Sequence, residues 1–187
     1  DAVVKQIMWE ICKEKKLAVE EFDRTIEFIE SLIKKYDQMV KVKRRAPRGV
    51  GLCVGPFNYP VNEIFEPMFA KLISGNTVIY KHAKYGILLM HPFLKHFQEL
   101  LPAGVVNTVY GEGPNTITPI MASHQLHTFV FIGSTGVADI IMNSNKQPHG
   151  FHSVLGLGAK NVVLITEFTD IDACLAEWVA SALTFNG

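Results

Sequence analysis

Cysteine is scarce, with three in 187 residues and no Cys-x-x-Cys pair, which excludes a disulfide framework and a thiolate zinc site. Cys12 and Cys174 fall in helical patterns and Cys53 in an apolar strand pattern, where free cysteine packs as a small hydrophobe; none reads as a nucleophile. An excess of charge of either sign is also missing. Eighteen basic and eighteen acidic side chains cancel, so no bulk field draws the chain to nucleic acid or to an anionic membrane. No apolar run approaches the ~18 residues of a membrane span, and the amino terminus lacks the basic-then-apolar layout of a signal peptide. The expected compartment is the cytoplasm. The seven histidines show no metal-ligand spacing, and His124 and His127, which bracket a helix-to-strand connection, are expected at the surface. A G-x-G-x-x-G fingerprint is absent as well, because Gly156-Leu-Gly158 is expected to precede a strand and cannot serve as the usual dinucleotide turn. There are no internal repeats and no low-complexity tracts.

What is present is core material: 48% of the residues are hydrophobic, enough to bury one substantial core in roughly one domain. Two stretches, 2–18 and 20–37, carry apolar residues at helical spacing: Val4, Ile7, Met8 and Ile11 in the first, Phe22, Ile26, Ile29, Leu32 and Ile33 in the second. The basic stretch Lys41-Val-Lys-Arg-Arg45 before Pro47 reads as a solvated connector. From there the pattern changes to short β-rich runs alternating with helical segments. Strands are expected at 49–54, 77–81, 105–110, 128–132 and 161–165, and helices at 61–73, 86–100, 114–122, 134–142 and 171–184. Alternation of this kind predicts an α/β fold, a Rossmann-like parallel sheet with helices on both faces, preceded by helices. Residues 1–45 are assigned to an N-terminal helical segment of the same domain as the NAD(P)-binding, Rossmann-like part at 46–187. Gly75 and Asn76 suit left-handed backbone at a helix exit.

Three strand ends stand out: Gly51-Leu-Cys-Val-Gly-Pro-Phe-Asn-Tyr-Pro60, Gly75-Asn-Thr-Val-Ile-Tyr-Lys81 and Phe131-Ile-Gly-Ser-Thr-Gly136. Each strand pattern stops at a polar or glycine-containing corner, and open α/β sheets bind ligands at the carboxyl ends of their strands. An Asn58 amide fixed at its corner can donate to a developing oxyanion, although an asparagine there also serves as a plain turn residue. Lys81 puts a cation where sugar hydroxyls or phosphate are reached, or is simply a solvated strand-end lysine. Gly133 and Ser134 open a helix whose backbone N–H groups can meet a pyrophosphate, with a serine N-cap as the other reading.

The order and spacing of these corners resemble the cofactor domain of the aldehyde dehydrogenase superfamily, over nearly all of residues 46–187. Pro56-Phe-Asn-Tyr-Pro60, Glu21-Phe-Asp-Arg-Thr-Ile-Glu-Phe-Ile29 and Ala182-Leu-Thr-Phe-Asn-Gly187 look most like its NADP-dependent, non-phosphorylating glyceraldehyde-3-phosphate branch. The resemblance implies that Asn58 stabilises the oxygen of a thiohemiacetal, that Phe57 and Tyr59 line the nicotinamide and substrate ends, and that Lys81 meets the adenosine ribose. Three residues on, where NAD-preferring members often carry a glutamate for the ribose 2′-hydroxyl, this chain has Lys84. An ammonium attracts the 2′-phosphate that a carboxylate repels, so NADP is the expected cofactor, with NAD as the alternative.

Two catalytic groups of the family are missing. A Gln-x-Cys follows the Phe-Asn-Gly motif in these relatives, so the nucleophilic cysteine is expected three residues past Gly187, and the chain is read as a fragment, inactive as given. The segment Leu155-Gly-Leu-Gly-Ala-Lys-Asn161 resembles the corner that carries the general-base glutamate, yet Gly156 and Gly158 occupy the two positions where the acid is found. Positioned proton transfer typically gives 10²–10⁴-fold, so hydrolysis of an acyl-enzyme is expected to suffer. The implied parent is a homo-oligomeric enzyme oxidising an aldehyde to a carboxylate. Rival readings are a non-catalytic nucleotide-binding pseudoenzyme and a reductase or CoA-acylating relative that needs no such base.

Overall fold

The computed structural model describes residues 2–42, 46–146, 149, 151–159 and 161–184. Helices α1 (Ala2–Ile11) and α2 (Lys15–Val42) come first, followed by β1 (Val50–Val54), α3 (Asn62–Ile73), β2 (Thr77–Lys81), a 3-10 turn at Leu88–Met90, α4 (His91–Leu100), β3 (Val106–Val109), α5 (Gly113–Ala122), β4 (Thr128–Ile132), α6 (Thr135–Ser144), β5 (His152–Gly156) and α7 (Ile171–Leu183). All strand pairs are parallel, in the order β3-β2-β1-β4-β5. The chain winds outward from β1 to β3, then returns to the other side of β1 to lay down β4 and β5. Strand order therefore reverses between β1 and β4, the switch point at which such sheets open a crevice.

Successive side chains of a strand face opposite ways, so the parallel sheet is buried on both sides. Cys53, Val78 and Tyr80 pack with Ile7, Ala18, Ile64, Phe65 and Met68 beneath α1 to α4. Leu52, Val54, Phe129 and Phe131 pack with Ile117, Met121, Ala138 and Ile141 of α5 and α6. Phe65 meets the rings of Phe93 and Phe97 edge-on, 4.9 and 6.2 Å between centroids, which ties α3 to α4. Gly75 is left-handed at φ 82°, and the α3 exit closes with Gly75 N–H donating to the Leu72 carbonyl and Asn76 N–H to that of Lys71, a Schellman arrangement.

The expected elements need four corrections. The strand expected at 161–165 is irregular chain, and the fifth strand is His152–Gly156 instead, so Gly156 ends a strand rather than preceding one. The first predicted helix breaks at Cys12, whose φ is 55°, and α2 starts at Lys15. Helix 86–100 is shortened to a 3-10 turn and α4, with the left-handed Gly86 ahead of them. Asn76 is not left-handed; its side-chain oxygen accepts from the backbone N–H groups of Arg48 and Gly49 at 2.7 and 2.9 Å, which ties the approach to β1 to the exit of α3. Of the basic connector, Lys41 and Val42 end α2, while residues 43–45, where the helical segment was expected to pass into the Rossmann-like part, and the last three residues of the chain lie outside the described residues. Among the described residues, no helix is long and apolar enough to cross a membrane.

Candidate functional site

Residue pairing in the sheet brings the three predicted corners to one rim. Val54 is level with Lys81 on one side and Phe131 on the other, so the ends of β2, β1 and β4 lie side by side. Three neighbouring strands span about 10 Å. Beyond Val54 the corner 55–60 carries Phe57, Asn58 and Tyr59; beyond Ile132 come Gly133 and Ser134. The two glycine-bearing ends are narrow by construction: a Cβ on Gly55 would overlap Ile64 Cγ1, and one on Gly133 would meet Phe131 Cζ at 2.5 Å.

Each predicted residue has a distinct setting. Asn58 is half-buried; its backbone carbonyl accepts from Lys13 Nζ at 2.9 Å, and its side-chain amide makes no hydrogen bond with another described residue. Phe57 is exposed and meets Tyr85 edge-on at 6.2 Å, which joins the β1 corner to the loop after β2. Lys81 is only 9% exposed, and its Nζ donates to the His82 carbonyl at 3.1 Å; burial lowers the ammonium below its usual range. Lys84 is exposed, with its Nζ 5.9 Å from the Tyr85 ring centroid. The two lysines expected to act together thus differ, one a buried cation held by backbone and one in solvent.

At the third corner Ser134 precedes the first turn of α6 with φ −76° and ψ 149°, and its hydroxyl caps none of that turn's N–H groups. A Cβ added at Gly136 would meet nothing within 4 Å. Uncapped donors, a positive dipole end and open space together make a cradle for an anion.

Two further residues shape the rim, and His82 was not expected from sequence. His82, buried beside Lys81, has Nδ1 at 3.1 Å from the Ala83 carbonyl and Nε2 at 3.3 Å from the Pro60 carbonyl, so it fastens the β2 corner to the β1 corner. A histidine at the end of an apolar strand was the only available signal. Gly156 also belongs to the rim: Gly133 N–H donates to its carbonyl at 3.0 Å, next to the α6 entry. A Cβ at Gly156 would press on Ile132 Cγ1 at 3.1 Å, whereas one at Gly158 would meet nothing within 4 Å.

The Cys53 thiol is buried in β1 and pushed up to about 12 by desolvation, despite the pull of nearby Lys71, and is unreactive at neutral pH. Among the described residues no group of three or more His, Cys, Asp or Glu side chains could hold a metal ion. A cleft of about 620 Å³ lies at the opposite, amino-terminal end of β4 and β5, lined by Tyr36, Met39, Arg48, Lys71, Thr128 and His152 among others, and shares no residue with the rim.

Known proteins share this architecture. The family model described as "Aldehyde dehydrogenase family" matches residues 1–187. An NADP-dependent glyceraldehyde-3-phosphate dehydrogenase of Streptococcus equinus is 34% identical over 151 residues, which are 79% of this chain and 31% of that protein. An aldehyde dehydrogenase [NAD(P)+] 2 of Saccharomyces cerevisiae is 31% identical over 144 residues, 76% of this chain and 28% of that protein. Among solved structures, the NADP-dependent glyceraldehyde-3-phosphate dehydrogenase of Bacillus halodurans C-125 complexed with NADP superposes with a TM-score of 0.84 at 26% identity, covering 96% of this chain and 41% of that one. The chain therefore spans about a third of the length of the curated relatives it matches.

Proposed function

Because this chain belongs to the aldehyde dehydrogenase family, we propose that it is the cofactor-binding part of an enzyme that oxidises an aldehyde with NADP, with glyceraldehyde 3-phosphate as the substrate. The observation that carries the reading is the convergence of Asn58, Lys81, Lys84 and the uncapped α6 entry on one rim of the sheet. The likeness to two NADP-dependent glyceraldehyde-3-phosphate dehydrogenases supports the choice of cofactor and substrate.

The residues present fit NADP. Its pyrophosphate suits the α6 entry, where Ser134 and the first-turn N–H groups are uncapped. Lys81, held by the His82 carbonyl, suits a ribose hydroxyl, and the exposed Lys84 ammonium the 2′-phosphate. NADP supplies a two-electron acceptor for the aldehyde hydride. Asn58 directs its free amide at the oxygen of the reacting carbonyl, a donor whose removal typically costs 10²–10³ in kcat. Phe57, edge-on to Tyr85, walls the β1 side of the crevice.

Gly156 and Gly158 favour a second reading for the later half of the reaction, in which a thiol such as coenzyme A, rather than water, takes the acyl group, since no carboxylate stands at this corner to activate water. The full-length gene product is the material for the test, supplied with NADP and glyceraldehyde 3-phosphate while NADPH is followed by absorbance. Aldehyde-dependent NADPH formation, cut about 100-fold or more by Asn58→Ala, is the expected result. Acceleration by coenzyme A would select the second reading, and absence of NADPH formation with a range of aldehydes would overturn both.

A further inference from the structure

Lys13 and Glu21 belong to the two helical stretches at the start of the chain, and the structure buries both. Lys13 lies in the break between α1 and α2, and the two residues are 3% and 2% exposed, with Nζ 2.7 Å from Glu21 Oε2. Lys13 Nζ also donates to the Asn58 carbonyl at 2.9 Å and stands 3.7 Å from the centroid of the Tyr59 ring. The other carboxylate oxygen, Glu21 Oε1, accepts from the backbone N–H groups of Val61 and Asn62 at 2.9 and 3.1 Å, at the entry of α3. Thr25 Oγ1 completes the cluster at 3.2 Å from Asn62 Oδ1. One ion pair therefore grips the corner at Asn58, at Tyr59 and at the first turn that follows.

Stability alone gives little reason for such a pair. Buried ion pairs are often matched or bettered by apolar side chains of the same volume, because desolvation offsets the attraction. This pair also depends on the chain turning sharply at Cys12, whose φ of 55° is disfavoured for a residue with a Cβ. What the pair supplies is direction. A carbonyl tied to Lys13 fixes the Asn58–Tyr59 peptide plane, and hence the outlook of the Asn58 side chain from a corner that is otherwise a loop.

We propose that Lys13 and Glu21 form a positioning pair that aims the Asn58 amide at the reacting carbonyl oxygen, an inference that rests on the oxyanion role proposed for Asn58. The test compares four forms of the full-length gene product: the parent, Lys13→Met with Glu21→Gln, Asn58→Ala, and all three changes together. The Met and Gln replacements leave no unpaired buried charge and retain an amide oxygen for the Val61 and Asn62 N–H groups. With NADP and glyceraldehyde 3-phosphate, the pair variant is expected to lose about tenfold or more in kcat, with the aldehyde KM and the NADP Kd within about twofold of the parent. In the Asn58→Ala background the same pair change is expected to cost nothing further, because a pair acting through Asn58 has nothing left to aim. Unchanged kcat in the pair variant, or losses that multiply in the triple variant, would overturn the proposal while leaving the role of Asn58 intact. A normal kcat in Asn58→Ala would instead remove the oxyanion role and the proposal with it. Should the pair variant not fold, Lys13→Gln with Glu21→Gln, two neutral side chains able to bond each other, carries the same expectations.

Discussion

His82 faces two carbonyl oxygens, those of Ala83 and Pro60, with an imidazole that burial holds below its ordinary value, although both carbonyls and Glu10 pull the other way. A neutral ring has one N–H for two acceptors, so protonation would complete the clamp locally at the expense of burying a charge. Desolvation wins. The folded chain therefore binds fewer protons than the unfolded one below the unfolded value of about 6.5, and stability falls with pH from there until the lowered folded value is passed. Between about pH 7 and 5, the melting temperature of the parent is expected to drop more steeply than that of His82→Gln; parallel curves from thermal unfolding across this range would contradict the assignment. Lys81 next door shows the same economy at a cation. Its ammonium is lowered by burial and held by the His82 carbonyl, so it is fixed in place, while Lys84 three residues on is exposed to solvent.

Strands β1, β2 and β4 were legible almost to the residue because each is an apolar run buried on both faces, where sequence and burial coincide. The fifth strand was not. His152-Ser-Val-Leu-Gly156 lies at the sheet edge and is largely exposed, held by backbone pairing to β4, which leaves little mark on composition. Asn161-Val-Val-Leu-Ile165 has the stronger strand signature, yet in this chain no neighbour covers it: Val162 and Leu164 are 83% and 82% exposed. In α2 the periodicity gave the helix but only part of its buried face: Phe22 packs on the core and Ile29 and Leu32 are half-buried, whereas Ile26 and Ile33 are exposed and Ala18, Glu21 and Thr25 form the buried stripe. The corner residues were legible as a constellation because motif order carries them. Lys13, Glu21 and His82 were missed because a buried charge looks like a surface charge until its partners are known. Helix α7 starts at Ile171 as expected, capped by the Asp170 carboxylate, which accepts from Ala173 N–H at 3.2 Å, but buries none of its residues. Ile171, Leu175, Val179 and Leu183 are all about half exposed or more, an apolar stripe of the kind that drives association. The isolated 187-residue polypeptide is thus expected to sediment well above its 20.9 kDa monomer mass at tens of micromolar, and Leu175→Lys with Val179→Lys to restore the monomer; a monomeric parent in analytical ultracentrifugation would contradict this.

Across the whole molecule, the two ends of the sheet differ in kind. At the carboxyl ends of the strands sit the polar corners, the uncapped α6 entry, the two lysines and the ion pair beneath Asn58; at the amino ends lies the cleft beside Lys71, Thr128 and His152. Reversal of strand order between β1 and β4 is what opens the first end to a dinucleotide, and the sequence carries that reversal only implicitly, in the order of its corners. The proposed NADP site at this rim owes its preference for the 2′-phosphate to Lys84. Dissociation constants of NADP and NAD, measured by titration calorimetry on the full-length gene product and on its Lys84→Glu variant, test it most directly. The parent is expected to bind NADP more tightly than NAD, and Lys84→Glu to weaken NADP by about 1.5–3 kcal/mol, the worth of a charge-assisted contact, while leaving NAD nearly unchanged. Equal affinities for the two cofactors in the parent, unmoved by the substitution, would contradict it.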